Sequence, residues 1–558
     1  MLQSYDVIII WAGPAGTTTA LSLKKKNPDL KVLVIEKEVF PRHRLGEAII
    51  PGIIPTLKKL GCFEAVEKAW FLKKVGSYYF WGKYKDVGIE LPLFKLDANN
   101  KHSSIGEVFG YHVDRSKYDM CLMEVAQEKW VEYRLETKVV TIDWREDFID
   151  SITLQNGEKL TAQYFVDAWW IQSTFIPQAK KNPVTMGEYF WNICFHGYLK
   201  WAKHLNTMKT SSNQVSTTVS AHENYSWSWY IPLSEDIVSV WVVVNSQYNK
   251  KYSTYWEKEL FITQTISSNP EIKKAIQWAH FIDYTGKGTV MCVKNWNGFS
   301  QNTYGGNWFL VGDTAFFSDP ILSTWVSMAQ KTGYMLWILL SEIISTDDVI
   351  WKEKIQSSYG LFLQESYQQV KNVIRFWYEW MSQGFEVKDL FDSWDETLRS
   401  FWITNTGNPQ FSFWYLVNWL LNSIEDEGEY NNMSYGGTTQ EEFENFIKIV
   451  TGNDVSIVVK DINDTDSYGI AENFTISPAI KVVDDKVVIG PKLSISNAYG
   501  SSFYINSSIH NFLRVIQGKN MTLAQIMKNI ELPMEFQESF KKDLQRLYLL
   551  GLIKKMDM

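Results

Sequence analysis

Residues 5–16 read Tyr5-Asp6-Val7-Ile8-Ile9-Ile10-Trp11-Ala12-Gly13-Pro14-Ala15-Gly16. The apolar run over 5–10 has the length and β-branched content of a strand buried on both faces. A turn follows, and Ala12–Lys26 reads as a helix opened by glycines. Lys31–Glu36 is a second short apolar strand, so the chain begins with a β-α-β unit. The dinucleotide fingerprint Gly-x-Gly-x-x-Gly belongs at such a turn. Its first glycine makes the bend, its second lets backbone approach a pyrophosphate, and its third lets helix and strand pack closely. Ala12, Gly13, Ala15 and Gly16 hold four of the places, with Trp11 where the first glycine belongs. The helix N-terminus then turns its unpaired N–H groups toward the phosphates, and Glu36 ends the second strand where a carboxylate reaches ribose hydroxyls.

The rest of the chain is organised around this unit. Its 558 residues suffice for two or three domains, and 45% hydrophobic content fills real cores. A net charge of −8 argues against a nucleic-acid partner. Cys62, Cys121, Cys194 and Cys292 are far apart, which argues against a disulfide framework or a zinc site and fits a reducing compartment. Neither a leader segment nor a membrane-length apolar run of ~20 residues is visible, so a soluble, cytoplasmic protein is expected. Aromatic and β-branched alternation over about 70–110 and 185–300 predicts a substrate sheet interleaved with the nucleotide domain. Trp308–Asp313 returns to that domain, and 326–385 reads as long helices. The division expected is a core over 1–400, a helical and linker region over 401–479 (acidic and polar around Ser423–Gln440), and a small module over 480–558. Within the module, Ile509–Gln517, Thr522–Asn529 and Glu535–Leu550 have helical patterns, with Thr522 as N-cap and Gly551 as stop. It resembles a winged-helix module that holds peptides; a helical appendage packed on the main body is the plainer alternative.

Three further segments sharpen the reading: Pro41-Arg42-His43-Arg44-Leu45-Gly46-Glu47, Tyr111-His112-Val113-Asp114-Arg115, and Val311-Gly312-Asp313. In this order they resemble the p-hydroxybenzoate hydroxylase-like flavoproteins, an α/β fold with a Rossmann-like FAD-binding domain. The resemblance implies FAD as cofactor, with Gly312 and Asp313 at its ribityl and phosphate region and Arg44 and Arg115 as basic contacts.

Within that fold the chain is most similar to flavin-dependent halogenases. Ser226-Trp227-Ser228-Trp229-Tyr230-Ile231-Pro232 contains Trp-x-Trp-x-Ile-Pro, which implies that Trp227 and Trp229 wall the flavin off from the organic substrate. Lys74 opens a segment ending Trp81-Gly82, where the family's lysine holds hypohalous acid or forms a haloamine; the adjacent Lys73 leaves the register open by one. That chemistry needs a desolvated amine, because burial lowers a lysine's pKa and frees its lone pair. Ser323 and Thr324, in Asp319–Met328, resemble the halide-holding pair. Leu322 replaces the acid of tryptophan halogenases, which points to the phenol- and pyrrole-type branch. The resemblance covers about residues 5–400. It implies chloride or bromide as co-substrate, a separate flavin reductase supplying reduced FAD, a flavin hydroperoxide that oxidises the halide, and a small-molecule, carrier-bound or peptide aromatic substrate. A flavin monooxygenase or reductase of the same fold, and a binding relative that has lost FAD, are the rival readings.

Twenty-five tryptophans are many for this length. Trp11, Trp70, Trp170, Trp241 and Trp325 stand where relatives carry glycine, whereas Trp81, Trp227 and Trp229 fit the family as tryptophans. A UGA codon read as glycine in the source organism, but translated as tryptophan, produces this pattern. A decayed, inactive relative is the competing explanation.

Overall fold

In the computed structural model, residues 3–383 are described apart from 82–85, 87, 93–108, 170–175, 177–183, 187–190, 206–210, 224, 246–256 and 295; beyond 466, the segments named below are described. The chain divides into two compact units, residues 1–95 with 103–384, and 96–102 with 385–558.

The first unit carries the expected β-α-β start. Strand Gln3–Ile10 is followed by helix Pro14–Lys26 and strand Val32–Ile35. The helix starts two residues later than the sequence suggested, because Gly13 is its N-cap and 11–13 form the turn. The second strand is trimmed at both ends. In the sheet, Glu132–Arg134, Val32–Ile35, Gln3–Ile10 and Lys159–Asp167 lie side by side in parallel. Lys159–Asp167 then pairs near its start with Phe148–Leu154 and near its end with Trp308–Leu310. The chain thus leaves this sheet after Asp167 and rejoins it at Trp308. The register sets Ile10 beside both Ile35 and Asp167, and Asp167 beside Leu310. The loops after these strands therefore meet at one edge, where open α/β sheets bind ligands.

The chain also builds a ten-stranded sheet, from four strands that precede Asp167 and six laid down between the two visits. Its central strands are Asn192–Lys200, Ile237–Asn245, Trp227–Pro232, Gln214–Ala221 and Leu72–Phe80. Because side chains alternate along a strand, the two faces separate cleanly. Ile193, Phe195, Val240, Val242 and Tyr230 pack on Phe261, Ile262 and Ile272 from helices Lys258–Ile266 and Pro270–Ala275. The opposite face presents His196, Tyr198, Trp227, Trp229, Ser239 and Trp241, all buried. A β-bulge, with Val75 as the extra residue between the Lys74–Val215 and Gly76–Ser216 pairs, interrupts the strand that carries Lys74. Bulges of this kind re-aim side chains.

Helices Trp325–Ser345 and Val349–Gln383 follow, as expected for 326–385. The first packs on Pro14–Lys26 across Gly333, where a Cβ would come within 2.6 Å of the Ala15 carbonyl oxygen. No helix among the described residues is long and apolar enough to cross a membrane.

In the second unit, Phe474–Val483, Lys486–Ile495 and Ser502–Tyr504 form one antiparallel sheet, and Met521–Thr522, Ser467–Ile470 and Ile553–Met556 another. Thr522 caps helix Leu523–Asn529: its Oγ1 accepts from Gln525 N at 3.2 Å, and its own N–H donates to Gln525 Oε1 at 3.0 Å. Of Ile509–Gln517, residues 512–513 and 515–516 are helical. Ser423–Gln440, Glu535–Leu550 and Gly551 lie outside the described residues.

Candidate active site

The converging loops enclose a cavity of about 280 Å³ lined by Gly13, Ala15, Arg44, Arg115, Asp313 and Val326, with Trp11, Trp169 and Trp325 projecting into it. Sites for small molecules usually run ~300–1,000 Å³, so this one is small for its frame. Backbone contacts fix the frame itself. Trp11 N–H donates to Ile35 O at 2.7 Å, closing the turn between the first two strands. Gly16 sits under that turn, where a Cβ would be 2.2 Å from the Trp11 carbonyl oxygen. Gly312 has φ +62 and lies against Ala15, leaving no room for a side chain.

The charged residues form a connected group. Buried Glu36 accepts from Ala12 N at 3.3 Å and from Arg42 Nε at 3.2 Å. Arg42 also binds Asp119 at 2.9 Å and the Ala12 carbonyl oxygen at 3.0 Å, so it ties the fingerprint turn to the helix Arg115–Glu128. Arg115 pairs with Asp119 at 3.0 Å and donates to Leu45 O, which holds its guanidinium at the cavity wall. Across the cavity, burial pushes the Asp313 carboxyl up to about 7, opposed by the positive charge of Arg115. Arg44 pairs with Glu38 at 3.0 Å, and its buried Nη2 has no hydrogen-bond partner among the described residues.

Arg42 and Asp119 were not singled out in the sequence, although Arg42 lies in a quoted motif. Nor was Glu47, which accepts from Tyr198 OH at 2.8 Å and Ser239 Oγ at 3.3 Å. Tyr198 OH also lies 2.6 Å from His43 Nε2, and burial pushes His43 down to about 4, so the ring is neutral. The sequence signal for Glu47 was its place after Gly46; its partners come from distant strands.

The second group gathers around Lys74. Burial pushes its amine down to about 7, and Nζ donates to Ser323 Oγ at 3.1 Å across 249 residues of chain. Ser323 has φ +59, a strained conformation of the kind found at functional sites. Thr324 Oγ1 is buried and has no hydrogen-bond partner among the described residues. Lys73 pairs instead with Glu67 at 2.9 Å. Trp227 and Trp229 share a face with ring centroids 5.2 Å apart. Trp227 Nε1 donates to Tyr378 OH at 2.8 Å, and Tyr378 donates to Asp319 Oδ2 at 3.0 Å. Trp229 meets Trp241 at 5.6 Å, Trp241 meets Trp325 at 5.8 Å, and Trp325 lines the cavity. Aromatic rings thus run from the Trp-x-Trp strand to the cavity.

Helix N-terminus, Arg44, Arg115 and Asp313 suit a dinucleotide such as FAD. Trp11 does not. Its indole Nε1 lies 2.9 Å from where a Cβ on Gly13 would stand, covering the surface a pyrophosphate would press against. Its ring stacks on Trp169 at 5.3 Å, with the Arg44 guanidinium 4.4 Å from its centroid. The basic group that would meet phosphate is stacked on an indole instead. With tryptophan at 11, the residues present do not fit FAD. Trp170 lies outside the described residues.

The family profile described as tryptophan halogenase matches residues 6–92 and 93–384. A 1H-pyrrole-2-carbonyl-(peptidyl-carrier protein) chlorinase of Pseudomonas fluorescens is 26% identical over 427 residues, covering 71% of this chain and 87% of that protein. The corresponding brominase of Pseudoalteromonas luteoviolacea is 27% identical over 413 residues, covering 71% and 91%. Among solved structures, CmlS, a flavin-dependent halogenase, superposes with a TM-score of 0.68 at 18% identity, covering 100% of this chain and 97% of that one, a likeness of fold. The match spans both the fingerprint turn and the Lys74–Ser323 pair, so the chain belongs to the tryptophan halogenase family of flavin-dependent enzymes.

Proposed function

We propose that this protein is an FAD-dependent halogenase that installs chlorine or bromine on an electron-rich aromatic ring, with Lys74 presenting the electrophilic halogen. The observation that carries the proposal is the buried Lys74 amine, poised near neutrality and 3.1 Å from Ser323 Oγ. An electrophilic halogen needs a nearby lone pair or hydrogen-bond donor to hold it, and a lysine that exchanges its proton near pH 7 supplies both. Trp227 and Trp229 close the sheet face toward the cavity and keep water and substrate apart from it. Chloride or bromide is assigned to Thr324, whose buried hydroxyl lacks a partner among the described residues. Gly13, Ala15, Gly16, Glu36, Arg44, Arg115, Gly312 and Asp313 are assigned to FAD, and a separate flavin reductase is the proposed source of its electrons.

Leu322 in place of an acid, together with two relatives named for carrier-bound pyrroles, supports a phenol- or pyrrole-type substrate, free or carried. The residues beyond the core, 401–479 and 480–558, are assigned as a linker region and a module for a carrier-bound or peptide substrate. A relative that binds no FAD is favoured by Trp11 alone. The test is Lys74→Ala in a chain carrying glycine at position 11, which frees the FAD cradle, assayed with reduced FAD, oxygen, bromide and a phenol or pyrrole. Halogenation should fall at least ~100-fold, in the range of a lost acid–base group, while FAD binding stays unchanged. Halogenation that survives the substitution refutes the role given to Lys74.

A further inference from the structure

Among the described residues, eight that are not glycine have a left-handed φ, and four of them are tryptophan: Trp11 (φ +94), Trp70 (+57), Trp130 (+65) and Trp201 (+64). Tryptophan supplies only 25 of the 558 residues. A left-handed φ presses Cβ toward the backbone carbonyl, and glycine is the residue that adopts it freely.

Each site is a glycine site by its own geometry. Helix Ile53–Leu60 ends on Gly61, φ +75, with Gly61 N–H donating to Lys58 O at 3.1 Å and Cys62 N–H to Leu57 O at 2.8 Å. Helix Arg115–Glu128 ends in the same paired bonds, Trp130 N–H to Gln127 O at 2.9 Å and Val131 N–H to Ala126 O at 3.1 Å. This is the helix stop that glycine makes by default, with an indole in its place. Trp70 follows helix Phe63–Lys68 and donates to Glu67 O at 3.2 Å in the same position. Trp201 turns the chain after strand Asn192–Lys200, donating to Asp236 O at 2.7 Å. Burial does not repay the strain: Trp70 and Trp130 are 85% exposed and Trp201 60%. At Trp11, φ +94 matches the true glycine Gly46 at +99, and the ring covers the dinucleotide cradle.

Trp81, Trp227 and Trp229 are a different population. They are buried, have no left-handed φ, and Trp227 is hydrogen-bonded to Tyr378. Trp241 and Trp325 also have ordinary backbone, so geometry makes no glycine assignment for them.

We propose that positions 11, 70, 130 and 201 hold glycine in the protein made by its own cell, their codons being UGA read there as glycine, and that glycine at 11 opens the FAD cradle. Two of these positions, 130 and 201, follow from backbone geometry without any comparison to relatives. The assignment does not depend on the halogenase reading.

The test is peptide mass spectrometry of the protein purified from its source. Glycine is expected at 11, 70, 130 and 201, and tryptophan at 81, 227 and 229. Tryptophan at any of the first four overturns the proposal. In recombinant protein, Trp130→Gly should raise Tm by about 1–2 °C, and Trp11→Gly should convert a colourless protein into one that copurifies with flavin. An unchanged or lower Tm for Trp130→Gly counts against the glycine assignment. Glycine masses at all four positions with no flavin bound would uphold that assignment and overturn the opened cradle, and with it the enzyme reading.

Discussion

A lysine in water loses its proton near pH 10.4, so at pH 7 about one amine in 2,500 is neutral. Lys74, pushed down to about 7 by burial, is about half neutral there. The sign is fixed by the direction of that shift: the amine is charged below pH 7 and neutral above it. If the neutral amine is the working form, the halogenation rate should fall about tenfold per pH unit below 7 and level off above it. The assay is product formation between pH 5.5 and 8.5, with saturating reduced FAD, in the chain carrying glycine at 11, 70, 130 and 201. Lys74→Arg supplies the control, because guanidinium stays charged throughout this range; it should be inactive at every pH. The ¹⁵N shift of Nζ gives the same transition without turnover. A rate that is flat between pH 6 and 8, or an Nζ that titrates near 10, refutes the reasoning.

Other residues give independent readings. Arg42→Ala leaves buried Glu36 without its cation, and urea unfolding should show a loss of about 3–5 kcal/mol. Asp313 gives a pH-dependent test. Its folded carboxyl titrates near 7 against ~3.9 unfolded, so the folded state holds a proton between those values and its stability declines as pH rises through them. Asp313→Asn should therefore gain on the parent chain from pH 4 to 7, by up to about 4 kcal/mol at about 1.4 per pH unit, and a constant difference contradicts this. Tyr378→Phe removes the hydroxyl shared by Trp227, Asn192 and Asp319 and should cost about 1–3 kcal/mol in the same unfolding assay.

The parts legible in the sequence were those set by neighbours along the chain. The strand over 5–10, the glycine turn, the second strand and the long helices after 326 follow from local periodicity and turn chemistry. The return to the first sheet at Trp308 was legible too, because an apolar strand followed by Gly312-Asp313 has few other uses. What local pattern does not carry is partnership across the fold. Lys74 and Ser323 are 249 residues apart, and they meet where one strand is bulged at Val75 and the chain turns left-handed at Ser323. Arg42, Glu36 and Asp119 are three ordinary charged residues until the helix Arg115–Glu128 packs beside the fingerprint turn. Glu47 gains its partners from strands that begin well over a hundred residues later. The strand Ile553–Met556 was not anticipated, because its pairing partner Ser467–Ile470 lies some eighty residues upstream. Trp130 and Trp201 look like any other tryptophan in the sequence, and only φ distinguishes them.

The most direct measurement is the identity of the product. The chain with glycine at 11, 70, 130 and 201 is given reduced FAD, oxygen, bromide and an electron-rich phenol or pyrrole, and the product is read by mass spectrometry. A brominated ring, recognised by its paired isotope peaks, is the expected result. A flavin-loaded protein that turns the substrate over to hydroxylated product alone, with bromide in excess, would contradict it.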